Sequence, residues 1–331
     1  MRIYFRLLIA GLIALSLPTA SQAASVEAWA GVVGGGGTGS IPNGCTTFGV
    51  PAELGPMFGS SALQMQVLGG NTACGYSGGW TDKTAATGPL SNSASLAPVI
   101  LGNPGFSGSF DGTSSSQANF GSLSAAAHGN ISGGTPGSPV ALFDSQGASF
   151  FNDTLTATSP FLANGSAAYV QYLFAVSGNL SALGAPGPSL FGSTWGQVSL
   201  TMNNGPVFGV VTAAVNRGGL GTVNSALPAG WSTSTGALSG SSTFNSALMP
   251  VTVGTPWQLR VGLLGWAYGT ADTSFFNASL IGIQLFDSQQ QPVQQFSLTS
   301  ESGIQYVPEP STALLLSAGI VGLALRRRGA K

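Results

Sequence analysis

The chain of 331 residues carries 50 glycines, and only 6% of its residues are charged. Between residues 24 and 306 three basic residues, Lys83, Arg217 and Arg260, stand against nine acidic ones, a net charge of −6 that the value of −1 for the whole chain conceals. So few cations argue against nucleic-acid binding, where phosphate neutralisation dominates affinity; the surface left to Gly, Ser, Thr, Asn and Gln is that of an exported protein rather than a cytoplasmic enzyme.

At the N-terminus Arg2 and Arg6 make a basic start, Leu7 to Leu17 an apolar run, and Pro18 ends it. Ser21-Gln22-Ala23 then offers small residues where a signal peptidase reads. Residues 1–23 are expected to be a signal peptide cut after Ala23, with the Sec export machinery and signal peptidase as partners. The alternative, an uncleaved anchor, has only eleven apolar residues with which to span.

Residues 24–96 are rich in Gly and poor in apolar alternation, and they hold both cysteines, Cys45 and Cys74. An even count in an exported chain reads as a disulfide. Closing a loop of roughly 30 residues would restrict the unfolded chain by about 3.5 kcal/mol in the chain-entropy account. A two-cysteine metal site is the alternative, but it lacks partners, since His128 is the sole histidine. Two catalytic patterns here are coincidences of composition. Gly34 to Gly39 has the spacing of a dinucleotide loop, yet Ser40-Ile41-Pro42-Asn43 opens no helix to hold a pyrophosphate. Gly75-Tyr76-Ser77-Gly78-Gly79 fits a nucleophile elbow and chain order permits a Ser77, Asp111, His128 triad, but the strand-to-helix turn it requires is absent.

Residues 97–306 alternate with a period of two. Val170, Tyr172, Phe174 and Val176 share one face; so do Val198, Leu200 and Met202, and Trp257, Leu259, Val261 and Leu263. Ile281, Ile283 and Leu285 follow the same rule, and Gly, Pro and Asn clusters such as Asn203-Asn204-Gly205-Pro206 separate the runs. No window of equal quality has a helical period. The body is expected to be all-β, an antiparallel jelly-roll-like β-sandwich of about ten to twelve strands, because two sheets with one apolar face each must cover one another.

Within the body, His128 reads as a strand-end residue with local hydrogen bonds. Paired carboxylates such as Asp272 with Asp287, or Asp144 with Asp153, have no spacing that forces them together, as glycosidase chemistry would need. Trp266 and Tyr268 share the parity of Gln258 and Arg260 and lead into Asp272. If that face is open, two rings at i and i+2 make a stacking platform for a sugar, with Arg260 and Asp272 as polar contacts; Leu264 on the same face supports the alternative of burial under a neighbouring segment. No cofactor and no metal site are expected; the alternative is a structural calcium held by Asp and backbone oxygens.

The last residues read Val307-Pro308-Glu309-Pro310, an uncharged stretch from Ser311 to Leu325, then Arg326-Arg327-Arg328. Prolines on both sides hold Glu309 extended. Fifteen residues of helix rise about 22 Å, short of a hydrocarbon core of about 30 Å, so the span is a marginal anchor whose arginines must snorkel. The Arg cluster stays cytoplasmic, and Glu309 with everything before it lies across the membrane. Residues 307–331 thus resemble the PEP-CTERM sorting signal of Gram-negative bacteria: motif, transmembrane helix and basic stop. The strand–turn–strand pattern of Leu280 to Ser300 resembles the ending that precedes it. The resemblance implies exosortase as the processing partner, transient anchoring by the C-terminus, and a final place at the cell surface or outside the cell. It also implies a producer of extracellular polysaccharide and a role in biofilm matrix or envelope. The resulting expectation is an exported, noncatalytic surface or matrix protein. A carbohydrate-binding module is the alternative, and a polysaccharide-acting hydrolase ranks third.

Overall fold

A computed structural model describes residues 23–36, 57–58, 76–103, 106–132, 141–182 and 192–306. They form sixteen strands in two antiparallel sheets. The first sheet runs β10 (Thr222–Val223), β9 (Val207–Asn216), β8 (Gly192–Met202), β14 (Trp257–Gly269), β6 (Ala141–Thr158), β1 (Ser25–Gly36) and β2 (Tyr76–Ala85), with β16 (Ser297–Ser300) also paired to β6. The second runs β11 (Trp231–Ser234), β12 (Ala237–Asn245), β7 (Ala167–Ser181), β15 (Ala271–Phe286), β5 (Ser122–Ser132), β4 (Phe106–Asn119) and β3 (Leu90–Asn103), with β13 (Met249–Thr252) on β7.

The all-β expectation holds, with more strands than the sequence advertised. In β3 and β4 the inward positions Asn92, Ala94, Gly112, Ser114 and Ser116 interrupt the apolar ones at Leu90, Leu96, Phe110 and Ala118, so these strands carry no continuous apolar stripe to read. The boundary drawn after Leu96 falls inside β3, and β1 lies between β2 and β6, hydrogen-bonded to both. No helix among the described residues is long and apolar enough to cross a membrane. The expected signal peptide (but for Ala23), the C-terminal helix and both cysteines lie outside the described residues.

One half of the interior is the apolar core that alternation foretold. Val170, Tyr172, Phe174 and Val176 of β7 meet Val198 and Leu200 of β8 and Trp257 to Leu263 of β14. Trp257 Nε1 donates to Tyr172 Oη at 2.9 Å, which satisfies the only polar atom of the indole. One expectation fails. β15 shifts register between Leu280 and Gly282, so Leu280 turns inward while Ile281 is 42% exposed, on the opposite side from Ile283 and Leu285. An extra residue in one strand reverses the facing of what precedes it.

The other half is thin. A Cβ placed on Gly147 of β6 would sit 2.2 Å from the Ser115 carbonyl oxygen of β4, and one on Gly112 would sit 2.5 Å from Ser145 Oγ. Side chains cross directly between the sheets: Ser114 Oγ donates to Gly31 O at 3.0 Å, Ser149 Oγ to Ser124 O at 3.1 Å, and Asn92 Nδ2 to Ala28 O at 2.9 Å. Glycine serves here because the two backbones leave no room for a methyl group.

Gly147→Ala should therefore cost about 2–3 kcal/mol through forced separation of the sheets, whereas Gly79→Ala, with nothing within 4 Å of its Cβ position, should be close to neutral. Urea denaturation midpoints of the two variants check this; equal midpoints would contradict the close approach.

Candidate functional site

Parity is as expected on β14: Trp257, Leu259, Val261 and Leu263 point inward, and Gln258, Arg260, Leu264, Trp266 and Tyr268 point to the outer face of the first sheet. That face is not open at Trp266, which is only 4% exposed. Trp29, Phe150 and Leu264 on the same face are buried with Met57 and Phe58, the Phe58 ring lying 5.7 Å from that of Phe150. Trp266 is thus part of a packed layer, the burial alternative that Leu264 suggested.

The four platform residues are not assembled. Arg260 lies six residues from Trp266 along an extended strand, about 20 Å away; it pairs with Glu27 at 3.2 Å and lies 5.1 Å above the Phe150 ring. Asp272 belongs to β15 of the other sheet, where it faces His128 Nδ1 at 3.5 Å. Trp266 and Tyr268 remain neighbours, their rings 5.8 Å apart. Trp195 of β8 joins them at 4.3 Å from Trp266, in register across the strands.

Two residues that sequence reasoning did not connect with these rings sit beside them on β6. Asp144 stands opposite Tyr268, and Gln146 opposite Trp266. The Asp144 carboxylate is fully buried and accepts hydrogen bonds from Gln146 Nε2 at 3.1 Å and from Trp266 Nε1. Burial outweighs these bonds and raises its pKa from 3.8 to about 7. Burial, and then the charge of Asp144, also push the Tyr268 hydroxyl upward. Gln146 Oε1 and Trp195 Nε1 are buried with no hydrogen-bond partner among the described residues. The in-register neighbours of Asp144 are Val33 and Tyr268, so no second carboxylate stands beside it there.

The open polar surface is the outer face of the second sheet. A shallow depression of about 500 Å³ is lined by Lys83, Ser91, Ser115, Gln117, Ser124 and Asn277 among others. It adjoins a second of about 540 Å³, lined by Ser95, Thr113, His128 and Asp272, and the two share Ser93, Ser115, Ala126 and Ser274. Hydroxyl and amide groups are frequent in the lining, and among the described residues no Phe, Tyr or Trp lines either.

The sequence coincidences separate in space. Ser77 lies within strand β2 of the first sheet. Asp111 instead accepts a hydrogen bond from Asn130 at 3.0 Å on the second sheet, and His128 sits in mid-strand rather than at a strand end. Gly34 to Gly36 finish strand β1. No group of three His, Cys, Asp or Glu side chains capable of holding a metal occurs among the described residues.

A third feature went unread in the sequence. Asp153 of β6, wholly buried, accepts from Ser300 Oγ at 2.9 Å, Ser302 N at 3.0 Å, Ser302 Oγ at 2.5 Å and Tyr306 Oη at 2.7 Å. Tyr306 is itself buried, stacked on Phe151 with centroids 6.3 Å apart. Burial, then its bond to Asp153 and the charge there, hold its hydroxyl well above the ordinary tyrosine value. Its donors lie about 150 residues further along the chain, so no local pattern announces them.

Directly after Tyr306, residues 307–328 match the family model of the PEP-CTERM protein-sorting motif. This chain carries a PEP-CTERM sorting motif. Neither curated proteins nor solved structures gave a match, so the sorting motif is the only feature these comparisons identify. The motif marks an exported protein with a membrane-anchoring sorting signal of the kind exosortase processes. In this PEP-CTERM protein the described body ends where the sorting signal begins, with no intervening spacer.

The raised pKa of Asp144 fixes the sign of a pH effect. A carboxyl whose folded pKa exceeds its unfolded value adds stability below about pH 4, and that contribution is lost as pH rises through about 7. Stability of the body should fall between about pH 4 and pH 7. Asp144→Asn should flatten that slope and exceed the native protein at pH 8 by on the order of 2–4 kcal/mol. Denaturation midpoints across the pH range measure this, and parallel profiles would contradict the buried acid.

Proposed function

We propose that this is an exported, exosortase-processed protein of the cell surface or extracellular matrix whose β-sandwich is noncatalytic and associates with extracellular polysaccharide. The sorting motif at residues 307–328 carries the reading. Export through the Sec machinery, removal of residues 1–23 by signal peptidase, a transient anchor formed by Ser311 to Leu325 with Arg326, Arg327 and Arg328 as its stop, and a Cys45–Cys74 disulfide complete it. A body with few charges and a broad hydroxyl-bearing face supports weak, extended contact with neutral chains, since many hydrogen bonds to sugars exchange for bonds to water at little net gain each.

Intact-mass measurement of the released protein tests this. The expected mass lacks residues 1–23 and the arginine cluster, and it is lower by two hydrogens than the reduced form. Glu309→Ala should leave the protein membrane-bound. A released mass that includes Arg326 to Arg328 would overturn the processing, and two titratable thiols would overturn the disulfide.

A carbohydrate-binding module is the second reading, favoured by the adjoining depressions on the second sheet. With Trp266 buried, recognition falls to Gln117 and Asn277 rather than to the rings of the first sheet. Retention on the producer's own polysaccharide should then change little between low and high salt, and should drop severalfold in a Gln117→Ala, Asn277→Ala double variant. Retention lost in moderate salt, or unchanged in the double variant, would count against this face.

A further inference from the structure

The sorting motif starts one residue beyond a buried anchor, and this restricts how a membrane protease can reach it. Tyr306 is packed on Phe151 and bonded to Asp153; Ser300 and Ser302 are bonded to the same carboxylate, and Glu301 N donates to Thr154 O at 2.9 Å. Pro308 is two residues past Tyr306, a reach of about 7 Å at full extension, and Ser311, where the apolar stretch begins, is five residues past it, a reach of about 18 Å. If the stretch from Ser311 anchors in the membrane, the end of the sandwich that holds Tyr306 stands no more than about 18 Å from it while the anchor at Tyr306 is closed. The residues just before Pro308 are then part of the fold rather than available as an extended peptide. Extended-peptide recognition requires main-chain groups on both sides of a motif to be free of other partners. Freeing residues 301–306 would lengthen the tether by about 20 Å.

We propose that the bonds of Asp153 to Ser300, Ser302 and Tyr306 form a clamp that controls access to the sorting motif, with exosortase acting on the clamp-open state. Asp153 and Tyr306 are positioning residues in this scheme: they regulate presentation of the substrate and take no part in peptide-bond cleavage. The proposal rests on the exosortase reading given above. The device has a simple logic. Opening costs the hydrogen bonds of a buried carboxylate together with the burial of Tyr306, so the open population is small and processing is slow compared with folding. After processing, the same clamp secures the new C-terminal end against fraying.

The test follows conversion of the full-length chain to the form lacking the arginine cluster, by pulse-chase and mass, in the producing cell. Tyr306→Phe keeps the ring stack and removes one bond to Asp153; conversion should speed up roughly tenfold. A six-residue Gly/Ser insertion between Tyr306 and Val307 leaves the clamp intact but supplies the missing reach. It should speed conversion by a similar factor and make Tyr306→Phe silent when the two are combined. A stabilising contact with no part in access would leave the insertion variant at the native rate, and that result would overturn the clamp while leaving exosortase processing in place. If neither the native chain nor any variant loses the arginine cluster, the processing reading fails first and the clamp with it. Additive acceleration by the insertion and Tyr306→Phe would also overturn the proposal, because the two changes would then act on different steps.

Discussion

The approach of β6 to β4 at Gly147 is the constraint on which much of this sandwich depends. With a backbone carbonyl 2.2 Å from where a Cβ would stand, this half of the interior has no space for the side chains that ordinarily fill a sandwich. Asn92, Ser114 and Ser149 take their place and bond to the opposite sheet's carbonyls, while Ser116 Oγ and Ser145 Oγ are buried with no partner among the described residues. The abundance of Gly and Ser, which on composition alone suggests loops, is in this region a packing solution.

The thin interior has a consequence on the outside. Four of the six tryptophans, Trp29, Trp80, Trp195 and Trp266, take outward positions on the first sheet; Trp29 is buried there with Met57 and Phe58, Trp266 is also buried, and Trp80 is exposed. The first sheet is thus packed on both faces around β1, β6 and β14, while the second sheet keeps one face polar and wet. This asymmetry explains why Asp144 is deeply buried although its parity is outward. Asp153, six strand positions beyond Gly147 on the same strand and on its inward parity, is buried for a different reason: the chain between β16 and Tyr306 folds over it and supplies four donors.

Much of this was legible in the sequence wherever the information is local. The alternations in β7, β8 and β14 predicted their inward faces, and the sorting signal was readable because motif, apolar stretch and arginines are contiguous. Strands β3 and β4 were hidden because Asn92, Ala94, Gly112, Ser114 and Ser116 fill the run of inward positions between Leu90 and Leu96 and between Phe110 and Ala118, which breaks the hydrophobic period. Ile281 was misplaced because a bulge inverts parity without any residue that marks it. The platform failed for a geometric reason: Trp266 and Asp272 are six residues apart in sequence but lie on strands of different sheets. Asp153 was weighed only as a possible partner of Asp144, since the hydroxyls that surround it come from residues 300 to 306.

The account makes the last described residues an integral part of the sandwich rather than a tail. Hydrogen exchange of the backbone amides in the mature protein tests this most directly. The Ser302 amide, which donates to Asp153 Oδ1, should be protected well above the level of the turn at Asp287 to Gln291, and should approach the protection of β6 amides such as Phe151. Exchange of Ser302 at the rate of an unstructured chain, with β6 still protected, would contradict the account.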